Sequence, residues 1–566
     1  MVSPYLQKKG QTQSQISENA KDLFRAVYRR QKKPEKISDN IPRIQVSEVI
    51  SKMAFYYEKI RNSVDYNEEY LLRKNAIARI LKRQIVIEGI IRTSKSEEAS
   101  KNLLIELIRA GYLPNNHIPE NRIGEVAKII EKYIKLRNEV LPRFGYSLFN
   151  LKSNKKEKEK KGLEEKNELN NWIIALAASE IEELLGRDKV KDTVVINLYQ
   201  YLQKNIKLEE NNEHEKDLNI QIYLGIHRKY LKFDEDMLSL ILFKYFNSRW
   251  ENPGEEDIKE IAQNITPLRQ AIDQQLNHPL SKQLNKVISR YNVFITILLD
   301  VIREDPVGVY NLGKSDPDKF TELIKKAFDK KYQARKKKLW RAAFRSIIYI
   351  FLTKTIFVII LEIPVTQFLG QNLDAFSLAV NVAFPPFLLF LAVFFTRISS
   401  DQNIKKVVEG VEEITFQEKQ KSEPIILRKP AKKRKVMRGI FNIFYTITFF
   451  LTFGVVVWLL TLINFNFVSI IIFLFFLALV SFFALRIRKT TKEFLVVTPK
   501  ENIFTFLFDF FSVPIIAVGK WLSQKFSRLN VFVFFMDFII EAPFKVFVDI
   551  AEEWTRYVKE RKEDIS

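Results

Sequence analysis

The chain has 566 residues, and its 90 Lys and Arg residues outnumber its 67 Asp and Glu residues, for a formal charge of +23. This excess favours an anionic partner, which is either nucleic acid or the inner surface of a membrane. The chain contains no cysteine, which excludes disulfides, thiolate metal sites and cysteine nucleophiles.

The composition also favours a mostly helical protein. Glycine is scarce, at 16 of 566 residues, whereas nucleotide-binding folds place glycines where the backbone must approach phosphate. Apolar residues recur at helical spacing in VSEVISKMAFYYEKI (46–60) and NRIGEVAKIIEKYIKLRNEVL (121–141). The fold class that we predict is therefore all-α. The opening MVSPYLQKKGQTQSQ has no apolar core, so it does not predict a secretory signal.

The polar part of the chain before residue 344 divides by composition into five segments. At roughly 100–200 residues per domain, the whole length allows three or four units. The run NKKEKEKKGLEEKN (154–167) has no apolar face, so we predict a solvated linker there. The predicted segments are a polar tail with a short helix at 1–35, a helical subdomain at 36–150, a charged linker at 151–168, a second helical subdomain at 169–304 and a basic juxtamembrane helix at 305–343.

Four apolar stretches follow, and each approaches the roughly 20 residues that an α-helix needs to cross about 30 Å of hydrocarbon. The predicted membrane domain covers 344–488, with spans at about 344–366, 376–396, 441–463 and 467–485. The first span contains Lys354 and Glu362 as well as Arg345 at its edge, whereas the third and fourth contain no charged residue. We therefore predict a multi-pass membrane protein with four helices arranged as two hairpins.

The charges that flank these spans all indicate one orientation. The segments before the first span, between the second and third, and after the fourth are rich in Lys and Arg, whereas the short loops LGQNLDAF and NFN lack them. Because basic segments stay in the cytoplasm, we predict a plasma-membrane protein with both termini cytoplasmic. Two basic clusters are expected to contact anionic lipid headgroups: Arg335, Lys336, Lys337 and Lys338, and Lys432, Lys433, Arg434 and Lys435. No stacking aromatic residues are interleaved with them, so nucleic-acid binding is not predicted.

GVYNLGKS (308–315) matches the phosphate-loop pattern G-x-x-x-x-G-K-[ST] through Gly308, Gly313, Lys314 and Ser315. The motif requires a buried strand directly before the first glycine, but IREDPV precedes it here, and Pro317 follows as a helix start. We therefore predict a turn into the juxtamembrane helix rather than a nucleotide site, and we expect no cofactor.

The four histidines, His117, His214, His227 and His278, do not form a local metal-binding pair, because none lies within ten residues of another. HEKDL (214–218) begins like the zinc motif H-E-x-x-H but has a leucine in the place of the second ligand. We predict no metal site, and four separate histidines on the surface or in the core.

The charged residues of the first span admit two interpretations. Lys354 and Glu362 are about 12 Å apart along a regular α-helix and about 80° apart in rotation, too far for a direct pair within one helix. Both can nevertheless face the bundle interior, where the second span supplies Asn381 and the helix break FPP at 384–386. Such a cluster is typical of an ion or substrate path. Alternatively, Lys354 snorkels, Glu362 reaches the outer headgroups and Asn381 only holds helices together.

The tail, 489–566, is predicted to be helical and to lie in the cytoplasmic interface or to enter the membrane as shallow re-entrant segments. Its two similar units, FLFDFFSVP (506–514) and FFMDFIIEAP (534–543), are interrupted by acidic residues, and the connector between them is basic. A crossing would place this connector outside, against the charge distribution elsewhere. The polar stripe of the tail consists of Asp509, Asp537, Glu541 and Lys545.

No motif in the chain supports an enzyme. The function that we predict is a membrane-anchored helical scaffold or interaction protein, whose large N-terminal part binds a protein partner or associates with itself. The first alternative is a channel or transporter subunit that uses Lys354, Glu362 and Asn381. The second alternative is a lipid-binding or membrane-remodelling protein that uses the tail.

Overall fold

The structure of the chain is a computed structural model, and all statements below concern the residues that it describes. These are residues 15–32, 42–62, 69–86, 96–146, 155–210, 213–371, 374–394, 401–417, 423–429, 435–492, 495–497, 503–528, 547, 550, 553–554, 557–558 and 561–562.

Helices dominate this part of the chain, which confirms the all-α prediction. The helices are α1 Glu18–Lys32, α2 Glu48–Asn62, α3 Glu69–Val86, α4 Ser96–Arg109, α5 Asn121–Tyr146, α6 Lys155–Leu185, α7 Lys189–Asn205, α8 Leu218–Ile226, α9 Glu235–Phe246, α10 Glu255–Gln263, α11 Ile265–Leu276, α12 Ser281–Glu304, α13 Pro306–Ser315, α14 Pro317–Phe357, α15 Ile363–Phe368, α16 Ala375–Phe394, α17 Asp401–Thr415, α18 Lys435–Leu462, α19 Phe467–Lys492 and α20 Ile503–Arg528. The strands are β1 Ile206–Leu208 and β2 Ile425–Leu427.

The chain divides into two compact units. The membrane unit comprises Met1–Val27, Ser289–Pro424 and Arg428–Asn530, and the helical unit comprises Tyr28–Ile288, Ile425–Leu427 and Val531–Ser566. The boundary falls within α12, so residues 289–304 belong with the membrane unit instead of the second predicted subdomain.

One continuous apolar core holds the helical unit together. Both predicted subdomains contribute to it, for example through Leu103 from the first and Leu176 and Leu242 from the second, all 0% exposed. The predicted linker does not separate them, because its part from Lys155 onward forms the first half of α6. The second half of α6 packs against α3 and α5, and this tertiary packing stabilises a helix that the charged sequence alone does not favour.

Strands β1 and β2 form a short parallel pair in the helical unit. β1 follows α7 directly, and β2 comes from the segment between the second and third candidate spans. Ile206 pairs with Ile425 and Leu208 with Leu427, whose carbonyl accepts a hydrogen bond from the Glu209 backbone N–H. Residues 425–427 thus belong to the helical unit although they lie between two candidate spans in the sequence, which no local sequence pattern predicts.

Four helices of the membrane unit are long and apolar enough to cross a membrane, and they lie where the sequence predicts spans. They cover Pro317–Phe368, Ala375–Phe394, Gly439–Leu462 and Phe467–Ile487. The first includes α14, which begins with Asp316 as its N-cap, and continues through a π-helical turn, Val358–Glu362, into α15. These helices support the membrane-protein class, while the orientation and the particular membrane remain predictions.

Two apolar clusters pack the spans together. The first, which we call the apolar seal, joins α14, α16 and α19 and consists of Leu339, Ala343, Leu389, Val393, Val480 and Ala484. The second surrounds the loop between the third and fourth spans and consists of Leu460, Phe465, Ile470, Phe473 and Leu477. The two clusters therefore lie toward opposite ends of α19.

Helix α20 packs against α18 and α19. Gly519 is buried, and a Cβ atom at this position would overlap the backbone carbonyl of Ala478, so the two helix backbones are in contact. Ala478 lies near the middle of the fourth candidate span. The contact packs 503–528 against the fourth candidate span, while the interfacial and re-entrant positions for this segment both remain predictions. The second predicted tail unit, 534–543, lies outside the described residues.

Candidate intramembrane polar site

Four buried polar side chains meet between three helical segments of the membrane unit. Lys354 lies on α14, Glu362 ends the π-helical turn that follows it, Asn381 lies on α16 and Ser469 lies near the start of α19. Lys354, Glu362 and Asn381 are 0% exposed, and Ser469 is 1% exposed. We call these four residues the polar cluster.

The Glu362 carboxylate is the centre of the polar cluster. Its Oε1 atom accepts a hydrogen bond of 2.6 Å from Asn381 Nδ2 and another of 2.6 Å from Ser469 Oγ. Its Oε2 atom lies 3.9 Å from Lys354 Nζ, which is an ion-pair distance but too long for a hydrogen bond. Lys354 Nζ also lies 4.2 Å from the centre of the Phe476 ring, whose face stabilises the cation.

The π-helical turn brings Lys354 and Glu362 closer together than a regular helix does. A π-turn accommodates one extra residue, so the eight-residue spacing acts roughly as seven residues, or two α-helical turns. The rotation between the two side chains falls from about 80° to about 20°, and both then lie on one face. The prediction that this pair is too far apart for direct contact is therefore wrong, because it assumed a regular helix.

Several polar atoms of this region have no hydrogen-bond partner among the residues that the structure describes. They are Lys354 Nζ, Glu362 Oε2, Asn381 Oδ1 and Thr366 Oγ1. Thr366 is 0% exposed. An unpaired buried polar group costs about 1–3 kcal/mol, and a charged group costs more. Packing alone therefore gives no reason to keep these atoms, whereas binding a proton or a small polar ligand does.

The structural interpretations of Lys354 and Glu362 do not agree with this geometry. Neither side chain reaches the protein surface, so Lys354 does not snorkel and Glu362 does not extend to a headgroup. Asn381 does join two helices, since its Nδ2 atom donates to Glu362. The predicted helix break at 384–386 is absent, because α16 continues through both prolines, which are buried.

Sequence reasoning missed Ser469 and Thr366. A single Ser or Thr in an apolar span commonly bonds the backbone of its own helix, so its presence indicates no particular site. Ser469 becomes recognisable only because α19 packs against the π-helical turn and places its hydroxyl on Glu362, 107 residues away in sequence.

The other predicted site residues fall partly on described helices and partly outside the described residues. Lys336, Lys337 and Lys338 are exposed on α14, and Arg335 beside them is half-buried. Lys435 begins α18, and Asp509 lies on α20. The remaining predicted site residues lie outside the part of the chain that the structure describes: Lys432, Lys433, Arg434, Asp537, Glu541 and Lys545.

The phosphate-loop match lies entirely on α13, whose N-cap is Asp305. The Gly308 backbone N–H donates to Asp305 Oδ1 at 2.9 Å, and the N–H groups that follow bond within the helix, so they do not form a phosphate cradle. The predicted turn is also wrong for GVYNLGKS. The change of direction is confined to Asp316, which caps the next helix.

The structure brings two of the four histidines together, contrary to the prediction of four separate histidines. The ring centres of His214 and His278 lie 4.8 Å apart, and Asp217 Oδ2 lies 3.4 Å from His278 Nε2. The Leu280 backbone N–H donates to His278 Nδ1 at 3.3 Å, which places the ring proton on Nε2, toward Asp217. Burial lowers the pKa of His278, and the Asp217 carboxylate opposes this effect. The ligand atoms of His214, Asp217 and His278 all lie within 4.8 Å of one another, a spacing at which the three residues could hold a metal ion, so the absence of a metal site stays a prediction.

No protein-family model, curated protein or solved structure matches this chain. Similarity therefore assigns no function to the fold or to the polar cluster. The interpretation of the polar cluster depends on its geometry and on the chemistry of its side chains.

Proposed function

We propose that this chain is a channel or transporter subunit that passes protons through the polar cluster, in a plasma membrane with both termini cytoplasmic. The observation that supports this best is the buried Glu362 carboxylate, which accepts hydrogen bonds from two other spans and pairs with Lys354. Ionisable residues inside membrane spans are rare, and they commonly belong to proton or ion paths. No enzymatic activity is part of this proposal.

The two oxygens of Glu362 differ in a way that suits proton exchange. Oε1 accepts two hydrogen bonds, whereas Oε2 has no hydrogen-bond partner among the described residues and faces the Lys354 ammonium. A proton therefore binds to Glu362 at Oε2. It neutralises the carboxylate without breaking the bonds from Asn381 and Ser469, so the helix contacts persist in both charge states.

A purely structural role explains the polar cluster less well. A buried ion pair generally stabilises a fold no better than apolar residues of similar volume. This pair also lacks a hydrogen bond between its two charges, since Lys354 Nζ and Glu362 Oε2 are 3.9 Å apart. The bonds from Asn381 and Ser469 require only an acceptor, which an uncharged glutamine supplies equally well.

Proton flux into liposomes tests the proposal. The purified chain is reconstituted with the pH-sensitive dye pyranine inside, and an outward potassium gradient with valinomycin drives proton entry. We expect proton flux with the unaltered chain and its loss in Glu362→Gln, which keeps an acceptor for Asn381 and Ser469. Glu304→Gln is the matched control, because Glu304 is 62% exposed and pairs with Lys330 outside the apolar stretches. Equal flux in both variants, or no flux above that of protein-free liposomes, contradicts the proposal.

A second candidate function is the membrane-anchored scaffold, and exposed apolar residues on the helical unit favour it. Met53, Phe55 and Tyr56 on α2 are 41%, 44% and 63% exposed. Apolar residues grouped on a surface are typical of protein–protein contacts. Co-purification from native membranes tests this function: Met53→Ser with Tyr56→Ser is expected to lose a partner that the unaltered chain recovers, and Ile196→Ser is expected to keep it. Recovery of the same partners by all three chains contradicts the scaffold.

The third candidate function is lipid binding or membrane remodelling. The exposed Lys336, Lys337 and Lys338 favour lipid binding, because they precede the first span, where anionic headgroups lie. Flotation with vesicles that contain anionic lipid, and imaging of vesicle shape with the full chain and a chain without 529–566, test this function. Equal binding to neutral and anionic vesicles, with no change of shape, contradicts it.

A further inference from the structure

Polar side chains continue from the polar cluster toward one end of the spans. Thr366 follows Glu362 by four residues, so both lie on one face of the helix, and Thr366 Oγ1 is buried without a partner among the described residues. Gln371 lies beyond the helix end, where its backbone N–H donates to the Thr366 carbonyl at 3.0 Å. Its side-chain Oε1 atom likewise has no partner in the described part of the chain. Lys354, Glu362, Thr366 and Gln371 therefore form a polar row that ends at the loop between the first and second spans.

The second span is also polar at this end. Ser377 is 1% exposed and lies four residues before Asn381, on the same face of α16. Its backbone N–H donates to the exposed carboxylate of Asp374 at 2.8 Å. The polar cluster thus has hydrogen-bonding side chains on two helices between itself and the end of the spans where Gln371 and Asp374 lie.

The opposite end of these helices is apolar. Between Lys354 and the basic part of α14, the first, second and fourth spans pack through the apolar seal. Ile347 and Ile350, which precede Lys354 by two turns and one turn, pack against it. Such side chains neither donate nor accept protons, and an apolar interior packed in this way does not hold water.

We infer from this asymmetry that, in the conformation of this structure, the polar cluster exchanges protons with the side of Gln371 and Asp374 and is closed toward the basic part of α14 by the apolar seal, so that net flux requires a second conformation in which the seal opens. The inference depends on the proposed function and adds the route to it. A hydroxyl both donates and accepts, so Thr366 can relay a proton between water at the loop and Glu362 Oε2. A protonated water gives up one O–H bond, the Thr366 hydroxyl gains one and loses one, and the Glu362 carboxylate gains one, so the relay needs no further reactant.

Cysteine accessibility tests the inference, because the chain contains no cysteine of its own. Thr366→Cys reports on the polar row, Ala343→Cys on the apolar seal and Ile359→Cys on a lipid-facing position, since Ile359 is 59% exposed. Gln371→Cys and Lys336→Cys mark the two sides of the membrane. Each variant is reconstituted in liposomes and treated with a membrane-impermeant cationic methanethiosulfonate, first outside only and then on both sides.

We expect Thr366→Cys to react from the same side as Gln371→Cys and about tenfold or more faster than Ala343→Cys, because only a hydrated thiol ionises and reacts. Ser377→Cys provides a second probe of the same route and is expected to behave alike. Reaction of both probes from the side of Lys336→Cys, or at the rate of Ile359→Cys, overturns the inference.

The labelling experiment tests the inference and the flux experiment tests the proposed function, and either one can be contradicted without the other. If Glu362→Gln abolishes proton flux but Thr366→Cys reacts from the wrong side, the proposed function stands and one-sided access is wrong. If Glu362→Gln leaves flux unchanged, the proposed function is wrong even where labelling shows a hydrated route.

Discussion

The opposite charges of Lys354 and Glu362 stabilise each other only while both side chains are charged. Neither side chain is exposed, and they lie on one helix with a π-helical turn between them. Removing one charge leaves the other buried without its counter-ion, whereas removing both leaves an uncharged interior. The stability of variants at these positions is therefore expected to be strongly non-additive.

Single and double substitutions test this coupling. Lys354→Met alone is expected to lower the free energy of unfolding by about 3–5 kcal/mol, since it leaves an uncompensated buried carboxylate. Lys354→Met combined with Glu362→Gln is expected to remain within about 1 kcal/mol of the unaltered chain. Thermal unfolding in detergent measures both. A double variant that loses as much stability as the sum of the single variants contradicts the ion pair.

His227 makes the helical unit sensitive to acid. Its Nδ1–H donates to the Tyr223 carbonyl at 2.9 Å, and its ring is buried between Tyr223 and Phe233. Burial lowers the pKa of His227 from 6.5 to about 4. The folded state therefore disfavours the proton that the unfolded chain accepts, so stability is complete above pH 6.5 and falls as the pH drops toward 4.

Because of His227, we expect the free energy of unfolding to be about 2 kcal/mol lower at pH 5 than at pH 8. His227→Asn keeps a donor for the Tyr223 carbonyl but does not titrate, so it is expected to remove this part of the pH dependence. His117→Asn, at an exposed position, is the control and is expected to keep it. Thermal unfolding of the full chain at both pH values provides the measurement, and an unchanged difference in His227→Asn contradicts the prediction.

Two contacts between helices each depend on one residue, and each joins residues that are far apart in sequence. Gly519 allows α20 to touch the backbone of α19, and Glu180 on α6 accepts hydrogen bonds from α5 and from Trp250 beyond α9. For each of these two residues, the chain contains another residue of the same type that does not make such a contact. The matched residue separates the effect of the contact from the effect of the substitution.

Gly519→Val is expected to lower the free energy of unfolding by about 1–3 kcal/mol, because its side chain must displace the Ala478 backbone. Gly454→Val in α18 is the control, since a Cβ atom there meets nothing within 4 Å. Thermal unfolding in detergent compares the two variants. Equal stability would mean that α20 is not packed on α19.

Glu180→Gln is expected to destabilise the helical unit by about 3–5 kcal/mol, because it leaves the buried Lys132 ammonium without its counter-ion. In the folded chain Glu180 Oε1 accepts from Lys132 at 2.7 Å, and Oε2 accepts from Tyr133 at 2.8 Å. Glu183→Gln is the control and is expected to cost less than about 1 kcal/mol, since Glu183 pairs with Lys244 at the surface. Similar losses in the two variants, measured by denaturant unfolding, would contradict a buried network.

At the scale of the whole molecule, the orientation of the four spans is the prediction that matters most. Reporter fusions at residue 371 and after Asn466 are expected to lie on one side of the membrane, and fusions at residue 336 and at the N-terminus on the other. Enzymatic reporters that are active on only one side of the membrane measure this. A reporter after Asn466 on the same side as one at residue 336 contradicts the two-hairpin arrangement.

The sequence predicted the helices and the four spans, because these features follow from neighbouring residues. A stretch of about 20 apolar residues spans a membrane wherever it occurs, and helical periodicity needs only one or two turns to be recognised. Lys354, Glu362 and Asn381 were identified for a similar reason, since polar residues stand out within such stretches. The sequence did not indicate that part of the predicted linker belongs to α6, because this helix is stabilised by packing against α3 and α5 rather than by its charged first half.

By itself, the sequence determined the class of this protein: mostly helical, basic, and with four apolar helices of membrane-spanning length. Only the tertiary structure decided that Ser469 reaches Glu362 across 107 residues, that a π-helical turn aligns Lys354 with Glu362, and that two distant histidines adjoin. The physical reason is the range of the interactions. Apolar length and helical period are properties of consecutive residues, whereas a polar cluster exists only once separate helices have packed.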